Sequence, residues 1–70
     1  MKIYDVIQGP FKASDFEGYP SDASFYIVVC KIEDATGALL EEDVAFPSFY
    51  HAMSVVDHFK QQIVPYEITQ

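Results

Sequence analysis

One cysteine, Cys30, stands among 70 residues, so the chain can close no disulfide within itself and cannot build a four-cysteine zinc site. Basic side chains are also scarce. Four Lys and Arg against eleven Asp and Glu leave a net charge of -7, which repels phosphate backbones and argues against direct binding to DNA or RNA. No apolar run approaches the roughly 20 residues of a membrane span, and the opening Met1-Lys2-Ile3-Tyr4-Asp5 lacks the apolar stretch of a signal peptide. No membrane partner is expected, and the cytoplasm is the expected compartment. Internal repeats and low-complexity tracts are absent.

Catalytic, cofactor and metal motifs are missing as well. His51 and His58 share a face of the expected helix but lie seven residues apart, about 10.5 Å along the axis, too far to chelate one ion unaided. Glu41, Glu42 and Asp43 are adjacent, yet neighbouring side chains on a strand point to opposite faces, so only Glu41 and Asp43 are co-facial. Cys30 has apolar neighbours in Val29 and Ile32, with no histidine near it in sequence, and reads as a small buried hydrophobe. The expectation is a protein that is not an enzyme, with no catalytic residue, no metal ligand and no cofactor.

Half of the residues are hydrophobic and 16% are aromatic, too apolar for a disordered acidic tail and enough for a packed core. The length allows one domain, residues 1–70, and a chain this short buries only about 60% of its unfolded surface. Marginal stability follows, and association with another chain would relieve it.

The pattern along the chain predicts an α+β domain, order β-β-β-α: three or four antiparallel strands under one C-terminal helix. Residues 2–8 form a first strand that should stop at Gly9-Pro10. Residues 24–33 form the most apolar strand, which belongs at the sheet's centre, and residues 38–46 form the third. The loop Asp34-Ala35-Thr36-Gly37-Ala38 suits a three-residue hairpin in which Gly37 is left-handed. That loop sets a register: Ile32 opposite Leu40, Lys31 opposite Glu41, Cys30 opposite Glu42, Val28 opposite Val44 and Tyr26 opposite Phe46. Glu42 therefore points to the helix side, where an unpaired carboxylate is costly, so either it lies at the sheet's margin or the strand bulges.

Ser48 is the expected N-cap of a helix over 48–63 with Phe49, Ala52, Met53, Val56, Phe59 and Ile63 on one arc. His51, Ser54, His58, Gln61 and Gln62 lie opposite, in water. Pro65 follows the helix, and residues 64–70 alternate as a short strand or extended tail would. In the irregular stretch 9–22, Ser14 and Glu17 read as a capping box for one helical turn ending at Gly18.

One helix covers one face of a sheet, yet residues 25–29 are apolar on both faces. Phe25, Ile27 and Val29, with Ala45, need a second cover. The 9–22 segment, with Phe11, Phe16 and Tyr19, is one candidate; a second copy of the chain, ranked slightly ahead as a homodimer, and a different protein are the others. Glu33, Glu41 and Asp43 would form an acidic patch on the face away from the helix, although the charge on an edge strand is more simply read as a block to aggregation. The functional expectation is a protein-interaction or regulatory module that masks a partner surface, as a homo-oligomer, with Phe11, Phe16, Tyr19, Phe25, Ile27, Val29, Glu33, Glu41 and Asp43 as its interaction residues. Two alternatives compete: an acidic nucleic-acid mimic that fills a basic partner's groove, and a small-ligand site at an oligomer interface lined by tyrosines, His51 or Glu42.

Overall fold

A computed structural model describes residues 1–68. β1 spans Lys2–Lys12, β2 Tyr26–Glu33, β3 Leu39–Phe46 and β4 Tyr66–Glu67; the one α-helix, α1, spans Phe49–Gln61. The sheet is antiparallel, in the order β3-β2-β1-β4, with the helix packed on one face: an α+β fold in which β2 is an inner strand.

The hairpin between β2 and β3 follows from its loop. Gly37 is left-handed at φ +85, and Asp34 N donates to Ala38 O at 2.9 Å. Asp34 Oδ1 accepts from Thr36 N, Thr36 Oγ1 and Ala38 N at 2.8, 2.7 and 3.0 Å. The register then runs without a slip from Glu33 opposite Leu39 to Tyr26 opposite Phe46, with all five expected pairs in place. Those hydrogen bonds, the one from the Thr36 side chain first, hold the Asp34 carboxyl below the usual aspartate range. Its folded value lies under the unfolded one, so the stability it contributes is complete above the unfolded value and lost as pH falls through the folded one. A carbon-detected NMR titration of Asp34, with the Thr36 and Ala38 amides as reporters, should show loop and carboxyl titrating together.

β1 departs from expectation. It continues past Gly9-Pro10, a cis peptide bond, to Lys12. Its register against β2 shifts three times, between Ile3 and Asp5, Val6 and Gln8, and Gln8 and Phe11. In the last interval Gly9 and Pro10 together face Val28, a bulge, and a bulge is where a strand accommodates a residue with no N–H to donate. The capping box also fails: a 3-10 turn covers Ala13–Asp15 after Lys12, with no side-chain cap.

The helix starts where expected. Ser48 is extended and its Oγ accepts from His51 N at 3.3 Å. Ser48→Ala should cost about 1 kcal/mol in urea denaturation, by loss of that cap. The buried face is rotated from the expected arc: Ala52 and Val55 are fully buried, Val56 and Phe59 pack beside them, and Phe49 is half-exposed against Tyr26. The helix stops at Gln61, so Ile63 lies beyond it, exposed. Ile3, Val28, Cys30, Val44 and Phe46 complete the core from the sheet. Tyr66 and Glu67 pair with Ile3 and Lys2, giving the fourth strand, while residues 69–70 of the expected 64–70 segment lie outside the described residues.

Candidate protein-interaction surface

The expected interaction residues separate into two groups. Phe11, opposite Ile27 in register, begins an aromatic run on the face away from the helix: Phe11 to Phe16 at 5.4 Å between ring centroids, Phe16 to Tyr19 at 5.7 Å and Tyr19 to Phe25 at 5.7 Å. Ala13 N donates to Phe25 O at 3.0 Å and ties the segment to the start of β2. Ile27 and Ala13 are fully buried within the single chain, while Phe11, Phe16, Tyr19, Phe25 and Val29 are half-buried. The 9–22 segment therefore covers the second face around Ile27.

The second group is acidic. Glu33, Glu41 and Asp43 are exposed. Tyr4 Oη donates to Glu33 Oε2 at 2.7 Å, and that bond is the main cause of a raised phenol pKa. On the same face Lys31 lies between Asp5 of β1 and Glu41 of β3. Glu42 points to the helix side opposite Cys30 and is exposed at the sheet's margin. Leu39 and Leu40, which the sequence reading did not select, are 53% and 43% exposed beside these carboxylates. The signal was present: two adjacent leucines open a strand that buries one face only.

These side chains line an edge. β3 pairs only with β2, so its other side carries free backbone groups. Because Asp34 bonds Ala38, the alternation of an antiparallel ladder turns the N–H and C=O groups of Leu39, Glu41, Asp43 and Ala45 outward. No bulge or proline interrupts the strand. An edge that is long, regular and free of both is a template for another strand, and charge is the remaining device that restrains it.

Other polar groups are occupied by structure. Cys30 is fully buried, its Sγ lies 3.5 Å from Val28 O, and burial, with a smaller push from Asp5, raises the thiol to about 11. Such a thiol is unreactive at neutral pH. His58 is not on a solvated face as expected: its ring meets Phe59 and Tyr66 edge-to-face, and its Nε2 donates to Val64 O at 2.7 Å, fastening the helix end to the return toward β4. Ser54 Oγ donates to Tyr50 O. His51 Nδ1 lies 2.6 Å from Ser48 Oγ at the cap.

A groove of about 540 Å³ lies beside the helix and adjoins the end of β3, lined by Asp43, Val44, Ala45 and Phe46 on that side and by His51, Ser54, Tyr66 and Ile68 among others. No buried polar side chain among the described residues lacks a partner. Among the described residues no three of His, Cys, Asp and Glu converge as metal ligands would, and no helix is long and apolar enough to cross a membrane. Comparison of the chain with protein-family models, with curated proteins and with solved structures finds no match.

Proposed function

We propose that this chain is a non-enzymatic protein-interaction module that masks a surface of a partner protein. The observation that carries this reading is the outer edge of β3: free backbone groups along an uninterrupted strand, with Leu39 and Leu40 exposed at one end. Exposed apolar side chains beside unpaired strand groups mark a place where another chain binds. A homo-oligomer through this edge is the poorer form of the proposal. Two copies paired symmetrically about Glu42 would set Glu42 against its own copy and Glu41 against Asp43, and pairing about Asp43 would set that carboxylate against its own copy; like charges directly opposite are destabilising. In the apolar face around Ile27, Ile27 is covered from within the chain and Phe25 and Val29 are partly covered, while Ala45 alone of the four is exposed.

A nucleic-acid mimic is the second reading, favoured by the exposed run Glu41-Glu42-Asp43 and the net charge of -7. Affinity purification from the source cell, with mass spectrometry of what co-purifies, tests both. A reproducible partner supports the masking reading. A nucleic-acid-binding protein that duplex DNA or RNA displaces, with binding that weakens steeply in salt, supports mimicry instead. Recovery of the chain alone, as a monomer, overturns both.

A further inference from the structure

We propose that the outer edge of β3 takes up an extended, basic segment of the partner in antiparallel register. This rests on the interaction-module reading and names the chemistry that the edge selects. The free N–H and C=O groups of Leu39, Glu41, Asp43 and Ala45 supply the main-chain bonds that strand addition uses for affinity. Side chains then supply selection, and along β3 they read Leu39-Leu40-Glu41-Glu42-Asp43-Val44-Ala45.

Charge decides the occupant. A side chain opposite Glu41 or Asp43 lies on the face away from the helix, and one opposite Glu42 lies on the helix side, so the strip is negative on both faces at its centre. Among the described residues the only salt bridge is Lys60 with Asp57 at 3.9 Å; Lys31 stands opposite Glu41 without closing an ion pair, and Glu42 and Asp43 stand opposite Cys30 and Val29. An acidic strand is repelled and a second copy meets its own carboxylates. A segment with three consecutive Lys or Arg flanked by β-branched residues matches every position, the apolar flank lying against Leu39 and Leu40. Rim charges of this kind govern which partner is accepted and how fast it docks.

The test uses the folded chain and the peptide acetyl-Ser-Val-Lys-Arg-Lys-Val-Ile-amide, followed by amide chemical shifts and calorimetry. The shifts should concentrate at Leu39, Glu41, Asp43 and Ala45. A peptide of the same composition, N-methylated at both lysines, keeps the charge and loses the main-chain bonds; it should bind about tenfold more weakly. The triple variant Glu41→Gln, Glu42→Gln, Asp43→Asn should also bind the unmodified peptide about tenfold more weakly. A proline is tolerated where an edge N–H faces solvent, so Asp43→Pro should remain folded by circular dichroism and block the edge. Equal binding of the methylated peptide, shifts centred on His51, Ser54 and Tyr66 with Leu39 and Glu41 unmoved, or no binding at about 1 mM peptide would each overturn the inference. A cellular partner still captured by Asp43→Pro would leave the module reading standing and remove the edge from it. Peptide binding at the edge with no cellular partner at all would do the reverse.

Discussion

Ile27→Asp should leave the chain unfolded in the far-ultraviolet circular dichroism spectrum at 25 °C, whereas Ile27→Ala should fold with a lowered Tm. Ile27 is fully buried and lies between Phe11 on β1 and Ala45 on β3, under the segment that holds Phe16 and Tyr19. Truncating a buried isoleucine to alanine costs about 2–5 kcal/mol. Aspartate adds a carboxylate taken out of water, a further cost of several kcal/mol. At roughly 0.05–0.15 kcal/mol per residue, 70 residues hold about 4–10 kcal/mol in all, so the alanine variant survives and the aspartate variant does not. Phe16→Ala should destabilise in the same direction, because the ring is a link in the aromatic run that forms the cover. Folded Ile27→Asp monomers would mean that the 9–22 segment lies loosely over the face and that a partner completes it.

The hairpin was the most legible part of the fold, and the reason is local. Five residues, Asp34 to Ala38, contain both the side chain that gathers the turn's donors and the glycine that takes its left-handed position, and a closed turn leaves one register for the strands. From that register the faces of Glu41, Glu42, Asp43, Ile27 and Cys30 follow by alternation alone. The Ser48 cap was legible for the same reason, since Pro47, Ser48 and the apolar spacing lie within one short stretch. The acidic half of the candidate surface came directly from these two facts.

What could not be read depends on contacts between distant segments. Whether Gly9-Pro10 ends a strand or sits in a bulge is decided by β2, which supplies Val28 as the single residue opposite both. The helix likewise rotates to bring Val55 rather than Phe49 into the core. Its spacing defines an apolar arc, and the shape of the sheet selects the part of that arc that is buried. A central second strand already implies an edge third strand; what only distant pairing decides is that β4 adds to β1, which leaves β3 and its Leu39 and Leu40 at the free edge.

Gly9→Ala should destabilise the chain by about 2–5 kcal/mol, more than the same change at Gly37. Two independent penalties meet at Gly9. Its φ is +116, outside the region a side chain accepts readily, and an added Cβ would lie 2.9 Å from Ile27 O and 3.1 Å from Val28 Cα. Both neighbours are backbone of the central strand, so relief would mean moving β2 itself or lifting β1 away from it. Gly37 carries the first penalty alone: φ is +85, and the only atom near its Cβ position is the flexible end of Glu33 at 3.6 Å. Gly37→Ala should therefore cost about 1–2 kcal/mol. The pair separates backbone strain from close approach, because the difference between the two variants measures how tightly β1 lies on β2 at the bulge. Urea denaturation of both, with amide exchange at Ile27 and Val28, reads it out. Faster exchange at those two amides in Gly9→Ala, with the Thr36 and Ala38 amides unchanged, would place the damage at the bulge. Equal losses at the two glycines would mean that β1 stands further from β2 than the 2.9 Å approach requires, and with it the cover over Ile27.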